Sequence, residues 1–174
     1  MPAVKKPEIL FDEKALHKRV REMAHDISRD YSGKDLVLVG VLKGAVVFMS
    51  DLTRAITIPH EWDLIRASSY GKAKKSPGKV QISKETLLDV KNRDVLLIDD
   101  IYDSGRTMRV ILDHIRQHNP ASVRTCVLAV KNVPHVEDIP IDYYGFEVPD
   151  RFVVGYGLDH AERYRDLPFL GAVD

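Results

Sequence analysis

Cysteine is nearly missing from this sequence: a single residue in 174, Cys126, which excludes an intramolecular disulfide. It sits in the apolar run Thr125-Cys126-Val127-Leu128-Ala129-Val130, where it reads as a small buried hydrophobe in a reducing compartment. Excess charge of either sign is missing too. The 26 basic and 26 acidic residues cancel, so broad electrostatic attraction to nucleic acid is not expected. No apolar run is long enough to cross a bilayer, because the longest, Leu36 to Met49, is broken by Gly40, Lys43 and Gly44. The first residues carry Lys5 and Lys6 without an apolar segment behind them, so no secretory leader is expected, and a cytoplasmic setting is. Two nucleotide signatures are also lacking: Gly-x₄-Gly-Lys-Ser/Thr and Gly-x-Gly-x-x-Gly. With no repeat, low-complexity tract or linker, residues 1–174 are expected to form one domain.

What is present alternates between two periodicities. Asp12 can cap a helix carrying Leu16, Val20, Met23, Ala24 and Ile27, which Ser32-Gly33 ends. Leu36 to Val41 is a continuous apolar run of strand length, as in a parallel strand covered on both faces. After Lys43-Gly44 a helical pattern resumes with Ala45, Phe48, Met49 and Leu52. Trp62 to Tyr70 alternates as a strand, with Trp62 read as packing. Residues 71–79 are polar, basic and rich in Gly and Pro, and Val80 to Ser83 resumes a strand. Val95 to Ile98 is a buried strand, Met108, Ile111, Leu112 and Ile115 mark a helix stopped by Asn119-Pro120, and Val123 to Val130 is another buried strand. Alternating strands and helices predict an α/β fold, a central mainly parallel sheet with helices on both faces and sites where strands end.

One such strand end carries chemistry. Val95 to Ile98 runs into Asp99-Asp100-Ile101-Tyr102-Asp103-Ser104-Gly105-Arg106-Thr107, which opens the next helix. A helix N-terminus offers unpaired N–H groups and a positive dipole end, a seat for phosphate. Gly105 lets the backbone approach closely, and the Ser104 and Thr107 hydroxyls add donors. Asp99 and Asp100 would repel a bare phosphate, but they suit hydroxyls or a cation carried with it, as in a ribose 5-phosphate. An acidic helix cap, the plain alternative, needs neither three acids nor the Ser-Gly-Arg-Thr beside them.

Leu96 to Thr107 resembles the phosphoribosyl pyrophosphate (PRPP) motif of type I phosphoribosyltransferases. The resemblance implies that Asp103, Ser104, Gly105, Arg106 and Thr107 wrap the 5′-phosphate, with Asp99 and Asp100 at the ribose hydroxyls, directly or through Mg²⁺. One position departs: the 6-oxopurine branch usually has Glu-Asp where this chain has Asp99-Asp100. Val41-Leu42-Lys43-Gly44 is similar to the family's pyrophosphate loop, in which backbone amides face the diphosphate, often through a non-proline cis peptide. Ser69 and Tyr70, leading into the lysine-rich stretch, resemble its closing lid.

Towards the C-terminus, Lys131 and the run Val148 to Asp159 resemble the purine end of hypoxanthine-guanine phosphoribosyltransferases. This implies that Lys131 donates to the purine 6-oxo group, Phe152 stacks on the ring, Val153 meets its edge and Asp159 binds Mg²⁺ together with Asp99 and Asp100. Arg165 matches an arginine that reaches pyrophosphate. Asp103 is implied either to accept the purine N7 proton or to position the base by a hydrogen bond. The resemblance covers about Leu36 to Leu170 and implies a small hood from the chain termini, Mg²⁺ as cofactor, PRPP and a 6-oxopurine as substrates, and a homodimer or homotetramer. No membrane or nucleic-acid partner is expected. An RNA-binding regulator of pyrimidine genes on the same fold, and transferases for xanthine, adenine or a pyrimidine, are the competing readings. Lys131 favours a 6-oxopurine over adenine, because an ammonium only donates. His114 and His118 share a helix face without a third metal ligand, so they are read as solvated residues.

Overall fold

The computed structural model describes residues 6–69, 80–82 and 88–173. Its elements in chain order are β1 (Glu8–Phe11), α1 (Glu13–Asp30), β2 (Leu36–Leu42), α2 (Val46–Ala55), β3 (His60–Ser69), β4 (Val80–Ile82), β5 (Asp94–Tyr102), α3 (Arg106–Arg116), β6 (Ser122–Lys131), β7 (Tyr143–Val148), β8 (Phe152–Val154) and β9 (Leu170–Val173). A central sheet runs β4-β3-β2-β5-β6-β7, with every pairing parallel except that of β3 with the edge strand β4.

The continuous apolar runs are explained by this sheet's two covered faces. Leu36 and Leu38 of β2, Leu96 and Ile98 of β5, and Cys126 and Leu128 of β6 pack with α1 and α2. Their odd-numbered neighbours Val37, Val39, Val95, Leu97 and Val127 point the other way, onto Met108, Ile111, Leu112 and Ile115 of α3. Cys126 is fully buried, and that burial pushes its thiol pKa well up. Helix α1 starts as its sequence predicts, the Asp12 carboxylate accepting from the Ala15 N–H at 2.8 Å.

The chain termini form a second, three-stranded antiparallel sheet, β1-β9-β8. Arg151 ties it across, 2.6 Å from Glu8. Two readings need correction. The strand beginning at Trp62 starts two residues earlier, and Trp62 is 56% exposed rather than packed. Among the described residues no helix is long and apolar enough to cross a membrane.

Because β2 and β5 are paired in register, Val39 beside Leu97 and Gly40 beside Ile98, they end at one edge of the sheet. The loops after them therefore face each other, the arrangement in which α/β sheets build sites.

Candidate active site

The loop after β5 is shaped by its own side chains. Asp100 N–H donates to Asp99 Oδ1 at 2.9 Å and Ile101 N–H to Asp100 Oδ1 at 2.8 Å. Gly105 then turns left-handed (φ +80°) and, as a glycine, offers α3 no side-chain cap; of the first-turn amides, Arg106 N–H reaches only a long 3.5 Å bond to Ser104 Oγ. The Arg109 N–H, bonded to Gly105 O at 2.9 Å, is the first to close a helical ring. Ser104, Gly105, Thr107 and Met108 line a cavity of about 310 Å³ together with Asp99, Asp100 and Asp103.

The loop after β2 supplies the opposite wall. The Leu42-Lys43 peptide is cis, and Val41 to Gly44 line the same cavity. Gly44 lies so close to the acidic pair that an added Cβ would overlap the Asp100 carboxylate, 2.5 Å from its Cγ. Arg165 and Asp159 reach in from the turn below the hood and are paired at 2.7 Å. Arg165 also donates to Gly157 O at 2.8 Å, while its buried Nε has no partner.

A second cavity, about 220 Å³, adjoins the first. Asp100, Ile101, Asp103 and Asp159 belong to both, and Lys131, Phe152, Val153 and Leu158 complete the second. Lys131, at the end of β6, holds its ammonium 3.3 Å from Asp103 and 3.6 Å from Asp150. Phe152 is half exposed against His160, rings 4.6 Å apart, leaving a face for a flat ligand, and Val153 is buried. The cleft therefore has a polar lobe between the two loops and a second lobe with an open aromatic face, with Asp103 where they meet.

Of the residues singled out by sequence, Lys43, Gly44, Asp99, Asp100, Asp103, Ser104, Gly105, Thr107, Lys131, Phe152, Val153, Asp159 and Arg165 line these two lobes. Arg106 does not; its side chain is exposed, and it contributes as the first residue of α3. Ser69 ends β3, and Tyr70 lies outside the described residues. His114 and His118 stack edge to face at 4.9 Å on the exposed side of α3.

The sequence reading missed a brace behind the phosphate loop. Glu137 N–H donates to Ser104 O at 3.0 Å, the Tyr102 hydroxyl donates to Glu137 O, and Ile139 N–H donates to the Tyr102 oxygen at 3.2 Å. His135 stacks on Tyr102 at 4.2 Å and bonds the Asp103 carbonyl. Only Tyr102 lay inside a recognisable motif. Residues 132–139 have no periodicity to announce them.

Burial, with the neighbouring Asp100 carboxylate, pushes the Asp99 carboxyl well above its ordinary pKa, and burial raises Asp100 too. The folded chain without substrate thus keeps a proton here at pH values where the unfolded chain has released it. That stabilisation is complete below about pH 4 and is lost as pH rises through the folded values. Asp99→Asn is therefore expected to stabilise the chelator-treated protein at pH 8 by about 1–3 kcal/mol, the scale of a buried polar group short of partners. Urea unfolding should show the gain shrinking as pH falls towards 4. A gain independent of pH would assign the effect to something other than the buried proton.

Comparison with known proteins agrees with this geometry. Residues 8–161 match the phosphoribosyl transferase domain. The chain is 40% identical to the hypoxanthine phosphoribosyltransferase of Salmonella typhimurium over 168 residues, covering 95% of this chain and 94% of the relative. It is 42% identical to the hypoxanthine-guanine phosphoribosyltransferase of Dictyostelium discoideum, covering 94% and 93%. A crystal structure of a hypoxanthine-guanine phosphoribosyltransferase from Bacillus anthracis superposes with a TM-score of 0.91 at 38% identity, covering 98% of this chain and all of the other. A mutant hypoxanthine phosphoribosyltransferase of Trypanosoma cruzi, in a ternary complex with its substrates, superposes with a TM-score of 0.88 at 33% identity, covering 96% and 95%. With the phosphate loop, its facing Lys-Gly loop and the planar-ring lobe in place, the chain belongs to the phosphoribosyltransferase family.

Proposed function

We propose that the protein is a purine salvage enzyme that transfers the 5-phosphoribosyl group of PRPP to a ring nitrogen of hypoxanthine or guanine, giving IMP or GMP and pyrophosphate. The observation that carries this is the meeting of the two lobes at Asp103, with the acidic pair on one side and Lys131 with Phe152 on the other.

The open amides of α3 with Ser104 and Thr107 bind the 5′-phosphate. Asp99 and Asp100 face the ribose hydroxyls. The backbone at Lys43-Gly44 and the Arg165 guanidinium hold the leaving pyrophosphate, which matters most where positive charge develops on the sugar as it departs. Lys131 donates to the 6-oxo group, Phe152 stacks on the ring and Val153 meets its edge. Asp103, beside Lys131, accepts the proton at N7 or fixes the base through it.

Asp99, Asp100 and Asp159 would hold Mg²⁺. Among the described residues no group of three or more ligating side chains forms a cage. A buried carboxylate pair beside a phosphate lobe suits a cation that takes one or two carboxylates and completes its shell with substrate oxygens and water. When bound, the ion neutralises charge on the pyrophosphate. Ser69 and Tyr70 begin the lid that excludes water, and the single domain is expected to assemble as a homodimer or homotetramer in the cytoplasm.

The test is incubation with PRPP and Mg²⁺ and each of hypoxanthine, guanine, xanthine, adenine and uracil. Nucleotide from hypoxanthine or guanine is expected, with adenine inactive because Lys131 has only donors to offer its amino group. Turnover with uracil alone, or none with any base alongside salt-sensitive RNA binding, would overturn the assignment.

A further inference from the structure

Lys43 and Arg165 are the two cationic side chains among the described residues lining the phosphate lobe, and one carboxylate that sequence reading passed over touches both, Arg165 being held more closely by Asp159 at 2.7 Å. Glu162 Oε2 lies 3.1 Å from Lys43 Nζ and 3.4 Å from the Arg165 guanidinium. We propose that Glu162 stands, in the empty enzyme, in the place of the leaving pyrophosphate, so that pyrophosphate must displace it on binding and is displaced by it on release. This rests on the transferase reading of the same site.

The backbone presents Glu162 deliberately. Ala161, Glu162 and Tyr164 all adopt left-handed conformations, at φ of 54°, 61° and 75°, though none is glycine. Non-glycine residues seldom take such angles, and they keep them only where surrounding bonds impose them. Here Glu162 N–H donates to Asp159 Oδ2 at 2.8 Å, and His160 and Arg163 exchange both backbone hydrogen bonds, at 3.1 and 3.2 Å. The turn is therefore fixed at its base while the Glu162 side chain remains two-thirds exposed, free to swing into solvent. A carboxylate so placed mimics an anionic oxygen between the same two cations. It keeps Lys43 oriented when the lobe is empty, Arg165 being fixed by Asp159 and Gly157 O, and it competes with the product for both cations when the lobe is full. Exposed ion pairs are individually weak, which suits a contact that must yield in every turnover.

Glu162→Gln keeps the length of the side chain and the N–H bond to Asp159, and removes the competing charge. Calorimetric titration with magnesium pyrophosphate is expected to show binding about three- to ten-fold tighter than wild type, the effect of releasing one exposed ion pair and one partly buried one. Product inhibition by pyrophosphate should tighten by the same factor. Damage to the turn would instead loosen pyrophosphate, so the direction of the change separates competition from misfolding. Asp166→Asn, an equal charge change on the exposed side of the next turn, is expected to have less than half that effect on a logarithmic scale. Unchanged or weaker pyrophosphate binding in Glu162→Gln, or equal tightening in Asp166→Asn, overturns the inference. Wild-type protein that forms no nucleotide in the base panel overturns the transferase reading, while the binding difference still decides this one.

Discussion

Asp103→Asn and Asp103→Ala are both expected to lower the rate of nucleotide formation by ~10²–10⁴-fold, the usual contribution of a positioned general base. The KM for PRPP should hardly move. The reasoning starts from where Asp103 sits: its main chain belongs to the phosphate loop, and its carboxylate points at Lys131 in the purine lobe. Its carbonyl is held from behind by His135, and the neighbouring Ser104 carbonyl by Glu137 N–H. Changing the side chain therefore leaves the loop's amides where they are, and PRPP still finds its phosphate seat. What is lost is an anion 3.3 Å from the Lys131 ammonium, in the lobe proposed for the purine. In the empty site the same carboxylate neutralises Lys131, so both variants leave Asp150, at 3.6 Å, as that ammonium's one anionic partner among the described residues. The two variants also separate the roles open to Asp103. Asn can still accept a hydrogen bond but cannot take a proton at neutral pH, so a base requires Asn to be nearly as impaired as Ala. A purely positioning contact predicts that Asn keeps most of the rate. Steady-state kinetics with hypoxanthine and PRPP varied in turn decides, and full turnover in either variant would falsify the base role.

The parts of this molecule that could be read in the sequence are those where one physical requirement dominates. Strands β2, β5 and β6 are covered on both faces through their middles, so those stretches are apolar on both sides, and the runs Leu36–Val41, Val95–Ile98 and Cys126–Val130 within Val123–Val130 stand out for that reason. The loop after β5 was legible because three acids, a Ser, a Gly, an Arg and a Thr at one helix start are an unusual set of residues in a fixed order. Strand β7 was not legible: it is an edge strand with only Tyr143 and Val148 buried, and the sequence Tyr-Tyr-Gly-Phe-Glu-Val neither alternates nor runs apolar. Strands β1, β8 and β9 are three or four residues each, too short for periodicity, and exist because the termini meet. Glu162 escaped for another reason. The turn that aims it at Lys43 uses Ala, Glu and Tyr in conformations that sequence reading assigns to glycine, and its partner is 119 residues away. The brace of Tyr102, His135 and Glu137 likewise exists only in three dimensions.

Gly44→Ala carries the other large expected effect, a fall of ~10²-fold or more in kcat/KM for PRPP with the fold retained. The position is not one where glycine serves backbone freedom, since its φ is not in the left-handed range. Glycine is required by proximity. A methyl group at Gly44 would overlap the Asp100 carboxylate, which is itself pinned by the Ile101 N–H at 2.8 Å and buried against Asp99. The clash can be relieved only by moving the Lys43-Gly44 loop away from β5 or by rotating Asp100 out of the ribose side of the lobe. Either movement separates groups that must act on the same substrate at once, and displacements near 1 Å commonly cost ~10² in rate. The scaffold has less to lose, because the loop is at the sheet's edge and neither core face includes Gly44. A useful contrast is Gly33→Ala. There φ is +76° and a Cβ would meet nothing within 4 Å, so the change costs about 1 kcal/mol of stability without touching the site. Thermal unfolding and PRPP kinetics on the two variants should therefore dissociate, one losing stability with activity intact and the other losing activity with stability nearly intact. Normal PRPP kinetics in Gly44→Ala would mean that contact between the pyrophosphate loop and the acidic pair is incidental to catalysis.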